Sequence, residues 1–442
     1  MKRLSIGDIV LNFDKNNLDE LIDLINRNYE ATCQFNAWTC ISPEILNEHL
    51  TNDETIRKPL SLVPVGVKDI FNTKRFPTEM GSEIWKGFTP GNDARVVSML
   101  ESKGASVVGK TVTAEFAVHE LNSTTNPWDI TRTPGTSSSG SAVAVSVGTV
   151  PVAIGSQTAG SIIRPASYCG VFGYKPSFGL IPRTGVLKTT DTLDTVGYFC
   201  GCLEDIDIVF DAVTVKGANY PISEERQLIA LNKLRKKKLW RVGFVKTHTW
   251  SGTEDYIKNS LLNFIDRVSK LPTVEIDELI LPDILCKAHD IHSAIYTKSL
   301  GYYFSKELAS YEKVSDSMLD MIERGKAVSM ERFSDSILAQ KDIQFEMDKL
   351  LSRYDVLVST STASSAPRRE EAERDDPSLM WTLSHLPALN IPIFSDPKGL
   401  PFGVQLVSKK YSDKVLLSFA NFLEKNGVIP SRAPSPPVSS CI

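Results

Sequence analysis

The chain has 442 residues, 42% hydrophobic and 23% charged, with a formal net charge of −4. Such a chain is long enough to bury a large core, and its slightly acidic balance gives no case for nucleic-acid binding, which wants a basic face. No window holds the ~18 uninterrupted apolar residues of a membrane span, so a soluble protein is expected.

The N-terminus, Met1–Phe13, carries Lys2 and Arg3 without a sustained apolar stretch, so no signal peptide is expected and the location is read as cytoplasmic. Residues 14–30 place Leu18, Leu21, Ile22 and Ile25 at helical spacing behind Asp14, which predicts an amphipathic helix with an N-cap. Leu60–Lys68 (L-S-L-V-P-V-G-V-K) reads as a buried strand ending in a lysine. On local sequence alone Lys68 is a snorkelling lysine at a strand edge. Ala94–Gly104 is helical with a glycine C-cap, and Ser106–Gly109 is a short strand. Gly109-Lys110-Thr111 echoes the end of a P-loop but has no Gly-rich cradle before it, which excludes nucleotide binding.

The stretch from Gly135 to Gly179 organises the chain. Two Ser/Gly-rich turns, Thr136–Ser141 and Ser156–Ser161, bracket a run of small and β-branched residues. Turns of this kind set hydroxyls beside free backbone N–H groups. Ala142–Ile154 suits a tightly packed helix followed by a buried strand. A flexible linker would not continue into Val-Pro-Val-Ala-Ile and then Ile-Ile-Arg-Pro.

Beyond it, residues 203–216 and 224–240 read as helices, with Arg235–Lys238 a solvated basic turn and Trp240–Val245 a strand. Asp255–Leu271 is helical, Thr273–Leu279 alternates like a strand, and 284–353 is mostly helical. His289 and His292 stand at i and i+3, but without a third ligand a helix surface or pocket wall is favoured over a metal site. Tyr354–Ser359 is a buried strand, Arg368–Asp376 a solvated loop or helix start, and Ser431–Ile442 a disordered tail. The cysteines, Cys33, Cys40, Cys169, Cys200, Cys202, Cys286 and Cys441, are irregularly spaced and read as reduced thiols. Strands and helices alternate, which argues an α/β protein with helices on both faces of a sheet.

The Gly135–Gly179 stretch resembles the signature of the amidase signature family of serine hydrolases, G-G-S-S-[SG]-G-S through G-[ST]-[DQ]-T-G-G-S-[IV]-R-x-P-A. The resemblance runs from about Leu60 to about Leu423 and leans to the malonamidase branch, because Gly-Ser-Gln-Thr precedes Ser161 and Ile-Ile-Arg-Pro follows it. It implies a large mixed central β-sheet in one catalytic domain, residues 60–430. A helical segment, 1–59, would wrap over the body, with a homodimer as one implication. It also implies a Ser–Ser–Lys triad using neither metal nor cofactor. Ser161 stands at the nucleophile position, Ser137 where the family has a serine after a cis peptide bond, and Lys68 at the general-base position. Thr158, Ala159 and Gly160 would supply oxyanion-hole N–H groups. The Leu193–Gly197 turn would pack near the site, and Met380–Phe394 with Leu400–Leu406 would form closing strands. Glu115 and His119 read as structural, because the family's chemistry uses no histidine.

A serine hydroxyl needs activation, and a lysine can provide it only when neutral, with its pKa well below ~10.4. No G-x-S-x-G elbow supports an ordinary α/β-hydrolase triad. Arg164 matches an arginine that meets the carboxylate of a small acidic amide in the malonamidase branch; the alternative is pairing with a buried carboxylate or main-chain carbonyls. Thr136 and Ala159 replace glycines of the pattern, which adds strain if either position needs φ > 0. The expected function is an amidase acting on a small amide substrate, with no nucleic-acid or membrane partner. The alternatives are acyl transfer to an amine, a non-catalytic subunit, or an amidotransferase subunit.

Overall fold

In the computed structural model the described residues are 3–51, 58–216, 221–235 and 239–437. They contain one sheet of eleven strands. In chain order these are β1 (Trp38–Ile41), β2 (Pro64–Lys68), β3 (Ser106–Thr111), β4 (Val152–Gln157), β5 (Phe172–Lys175) and β6 (Thr195–Cys200). The second half of the chain adds β7 (Trp240–Val245), β8 (Val274–Leu279), β9 (Val356–Thr360), β10 (Ala388–Ser395) and β11 (Pro401–Ser408). Across the sheet they run β1-β3-β2-β4-β6-β5-β10-β11-β9-β7-β8.

Two parallel trios flank an antiparallel centre. β3, β2 and β4 are mutually parallel, as are β9, β7 and β8, and the strands between them pair antiparallel. Every residue of β2, β3, β4 and β6 is buried. Strands covered on both faces read as continuous apolar runs, and Pro64–Val67 and Val152–Ile154 do so. The mixed sheet with covering helices is the architecture expected.

The helix Ser139–Ser146 is buried at all eight positions, which only small residues and valines permit this close to a sheet. A Cβ on Gly140 would lie 2.3 Å from the Ala37 carbonyl oxygen and 2.4 Å from the Val112 nitrogen. That packing sets the start of the helix against Ala37 and Val112, and the Ser138 hydroxyl, which donates to Ser156 O, holds the turn before it to β4. A second core lies under the helices Ala288–Tyr303, Asp316–Ala327 and Met330–Leu350, where Ile295, Ile322 and Ile343 pack with Trp381 and Ile163.

Several expected boundaries shift. The strand at Leu60–Lys68 begins only at Pro64, because Leu62 adopts φ 62° in a turn. The first long helix is Leu18–Glu30 with Asn17 at its N-cap, in place of Asp14, and a further helix, Ile6–Asn12, precedes it behind a Ser5–Asp8 capping box. Met380–Phe394 was expected as strand throughout; Leu379–Leu383 is instead a short helix, closed by His385 at φ 64°. The helix expected over 224–240 is observed as Pro221–Arg235, and Lys236–Lys238 of the basic turn lie outside the described residues. The tail expected to be disordered from Ser431 is held as far as it is described. Arg432 bridges to Cys202 and bonds Asp8, and Ala433 N–H donates to Gly201.

Candidate active site

Lys68 closes β2, and its neighbours across the ladder are Thr111 of β3 and, through Val67, Ile154 of β4. The C-terminal ends of parallel strands are where open α/β sheets bind ligands. The Lys68 side chain is fully buried. Its Nζ lies 2.8 Å from Ser137 Oγ and 2.9 Å from Ser156 Oγ. Burial pulls its pKa down to about 7, against the opposing charge of Asp194. One strand away, Lys110 is as deeply buried but pairs with Asp69 Oδ1 at 2.8 Å and donates to Thr78 Oγ1 and the Pro77 carbonyl. Lys110 has a carboxylate for its charge, whereas the hydrogen bonds of Lys68 among the described residues go to hydroxyls.

Ser137 is 1% exposed, and the Thr136–Ser137 peptide bond is cis. Ser161 lies in the turn between β4 and the helix Ile163–Cys169 and is 5% exposed. Among the described residues Ser161 makes no hydrogen bond to Ser137 or Lys68, so the bonded unit is Lys68, Ser137 and Ser156. Neither Thr136 nor Ala159 is among the residues with positive φ, so the two replacements of glycine bring no left-handed strain.

The loop from Thr158 to Ser161 is held from outside. Gln157 Oε1 accepts from the N–H groups of Ile162 and Ile163, at 2.8 and 3.0 Å. The Thr158 hydroxyl donates to Asp194 Oδ1, a carboxylate that also takes the N–H and hydroxyl groups of Thr189 and Thr190. The carbonyls of Thr158, Ala159 and Gly160 are each bonded. His292 Nε2 meets Thr158 O at 2.9 Å, Thr382 Oγ1 donates to Ala159 O at 2.7 Å, and Arg164 N–H donates to Gly160 O at 2.9 Å. No backbone acceptor among the described residues takes the N–H groups of Thr158, Ala159, Gly160 or Ser161.

Arg164 departs from the expectation of a residue facing a substrate carboxylate. Its guanidinium is turned to the chain itself: Nε is 2.9 Å from Glu373, one terminal nitrogen 2.9 Å from Asp376, and the other donates to Thr136 O at 2.9 Å. This is the alternative of a buried carboxylate and a main-chain carbonyl together. The segment Arg368–Asp376 is a loop, as read, but it is not simply solvated. Asp376 is buried, Glu373 is half-buried, and Arg369 donates to the carbonyls of Asn122 and Thr124. A Cβ on Gly160 would lie 1.6 Å from Asp376 Oδ2, so only glycine lets the carboxylate approach there.

A cavity of about 570 Å³ opens beside Thr136, Ala159 and Arg164, with His119, His292 and Tyr296 in its wall. The pocket-wall reading of His289 and His292 therefore holds. Among the described residues no group of three or more His, Cys, Asp or Glu side chains is placed to hold a metal, and His289 Nδ1 instead faces His248 Nε2 at 2.5 Å. Glu115 accepts from Ser82 and from the Ser315 N–H, joining segments as expected of a structural residue.

Sequence reasoning missed Ser156 as a partner of Lys68, and Gln157, Thr382, Glu373 and Asp376 as the frame of the loop. Ser156 carried a signal, since it belongs to the same Ser/Gly-rich turn as Ser161. The remaining contacts join residues more than 200 positions apart, except Gln157 to its own loop.

Known proteins share the family and the fold. The Amidase family profile matches residues 20–417. A glutamyl-tRNA(Gln) amidotransferase subunit from a Picosynechococcus species is 30% identical over 408 residues, covering 82% of this chain and 84% of the relative. Among solved structures, the peptide amidase of Stenotrophomonas maltophilia superposes with a TM-score of 0.78 at 22% identity, over 99% of this chain and 96% of the other. The 6-aminohexanoate cyclic dimer hydrolase does so with a TM-score of 0.81 at 21% identity, over 95% of each. Among the described residues no helix is long and apolar enough to cross a membrane. With the profile spanning most of the chain and the relative matching over four-fifths of it, the chain belongs to the amidase signature family and is an amide-hydrolysing enzyme.

Proposed function

We propose that this amidase cleaves the C–N bond of a small amide through an acyl-Ser161 intermediate, with Lys68 as general base and Ser137 as proton relay. The observation that carries the reading is the buried Lys68 amine, held by two hydroxyls at the end of β2 with no carboxylate among its hydrogen-bond partners. A neutral amine there accepts the Ser137 proton as Ser137 takes the proton of Ser161. Ser161 Oγ then bonds the substrate carbonyl carbon, and the negative charge on the carbonyl oxygen meets backbone N–H groups of the loop from Thr158 to Ser161. Collapse breaks the C–N bond, and the stored proton returns through Ser137 to the leaving nitrogen. Water attacks the ester by the same relay, which restores Ser161 and neutral Lys68. The Ser161-to-Ser137 hydrogen bond forms as substrate docks; such bonds tighten only in the substrate complex.

Covalent labelling with a small fluorophosphonate, followed by peptide mapping, tests this. Adduct on Ser161 of the wild type, lost in Ser161→Ala and in Lys68→Ala, is the expected result. Equal labelling of the Lys68→Ala variant, or an adduct elsewhere, overturns the assignment.

A second reading is transfer of the acyl group, or of the released amine, to another acceptor. The relatives named as amidotransferase subunits favour it, as does a separate cavity of about 270 Å³ on the side of Ser156 and Thr158. Product analysis with and without added amines tests acyl transfer, because an amide of the added amine forms only when the acyl group passes to it. Transfer of the released amine is read with an added activated carboxylate, which would gain that amine.

A further inference from the structure

The peptide units of the loop after β4 are trans, since the cis bond among the described residues is Thr136–Ser137. In a trans peptide the C=O and the following N–H point in opposite directions. Whatever holds the carbonyl of Thr158 therefore aims the N–H of Ala159, and whatever holds Ala159 O aims the N–H of Gly160. The third unit is held from within, by Arg164 N–H on Gly160 O. The first two are held by side chains from other parts of the chain.

The donor directions are determined. Gln157 Oε1 must face the N–H groups of Ile162 and Ile163, so its amide nitrogen faces Thr382 Oγ1 at 2.9 Å. An amide nitrogen only donates, which leaves the Thr382 proton for Ala159 O at 2.7 Å. A carbonyl only accepts, so His292 must carry its proton on Nε2 to bond Thr158 O. His292 is 4% exposed, and burial lowers its pKa to about 4, which keeps the ring neutral near neutral pH, while the bond to the Thr158 carbonyl holds the single proton on Nε2. Both partners are anchored, His292 in the helix Ala288–Tyr303 against Tyr296, and Thr382 in the helix Leu379–Leu383 beside buried Trp381.

We infer that Thr382 and His292 are positioning residues that aim the oxyanion-hole N–H groups of Gly160 and Ala159 by fixing the carbonyls behind them. The inference rests on the reading of Ser161 as nucleophile. Neither side chain exchanges a proton with substrate; each sets the direction of a main-chain dipole that stabilises charge only as the tetrahedral species forms. Their removal should thus slow the covalent step and leave binding of the reagent nearly untouched.

The test uses the fluorophosphonate on the whole chain, with its maximal labelling rate separated from its half-saturating concentration. Thr382→Val and His292→Phe are expected to lower the maximal rate by roughly tenfold to a hundredfold, with a less than about twofold change in the half-saturating concentration. Thr382→Ser and His292→Gln, which keep a donor, should recover most of the rate. Wild-type rates in the Val and Phe variants overturn the inference, as does a Ser or Gln variant as slow as its partner. Nitrogen-15 NMR of labelled histidine in the wild type covers the case in which a variant does not fold. An Nε2–H signal for His292 supports the inference, and an Nδ1–H tautomer ends its part in it. A wild type that never labels on Ser161 removes the underlying function, whereas unaltered variants of a labelling wild type remove this inference alone.

Discussion

Lys68 carries its consequence in its titration. The folded chain holds this amine at a pKa of about 7, whereas the unfolded chain returns it to its ordinary 10.5. Between those values the unfolded state binds more protons, so this group's contribution to stability rises with pH across the window and its cost is greatest below it. Lys68→Met should therefore unfold at a higher temperature than wild type near neutral pH, with the gap closing as pH approaches 10.5. The same variant should lose at least a hundredfold in labelling rate, in line with removal of a general base. In wild type that rate should climb as pH passes through about 7 and level off above it; a flat profile across that range would show that the neutral amine is not required. Ser156→Ala removes one of the two acceptors of Nζ. About a tenfold slower labelling step is expected from a base less well aimed, measured under the same conditions. Lys68, Ser137 and Ser161 could be singled out in the sequence because a spaced motif carries residue identity, and the structure joins the first two; Ser156 could not, because its contact depends on how closely β2 and β4 approach.

At the scale of elements, the two serine-bearing turns are tied by Arg164, which sits on the helix after Ser161 and reaches the carbonyl of Thr136 beside Ser137. The same guanidinium neutralises Glu373 and Asp376, so the loop before the helix Leu379–Leu383 is drawn onto the site. Arg164→Ala leaves these carboxylates without a cation, Asp376 buried with, among the described residues, only the Ser378 N–H and hydroxyl on it and Glu373 partly buried. Denaturant unfolding should show a loss of about 3 kcal/mol, typical of one half of a buried pair removed. Arg164→Lys should recover little of it, since a point charge cannot reach three groups that a planar fork spans. Unchanged unfolding in Arg164→Ala would show that the clamp carries no weight. The sequence showed that an arginine stood here, with both of its uses open; the deciding carboxylates lie beyond 200 positions away, in a charge run that reads as solvated. The helix Leu379–Leu383 was hidden for a different reason. An apolar run of that length fits a buried strand or a buried helix equally well, and only the turn at His385 separates it from β10.

For the whole molecule, alternation of strands and helices was enough to read a sheet covered on both faces, but not the order of its strands. Strand order depends on contacts such as β5 against β10 and β9 against β11, which no local pattern encodes. The order matters to the site, since it places the ends of β2 and β4 side by side and brings the loop before β10 over them. It also leaves β8 at one margin, paired on one side with β7 and with nothing beyond it in the sheet among the described residues. Its exposed side chains include Glu275, Asp277 and Glu278. Charge on a margin keeps its unpaired backbone groups from adopting a strand of another molecule. The acidic margin is thus a safeguard of colloidal behaviour, separate from catalysis. Replacing Glu275 and Asp277 by Thr and Val should leave labelling at Ser161 intact while light scattering reports growing particles on storage, and a clear solution would mean that the margin is guarded by other means.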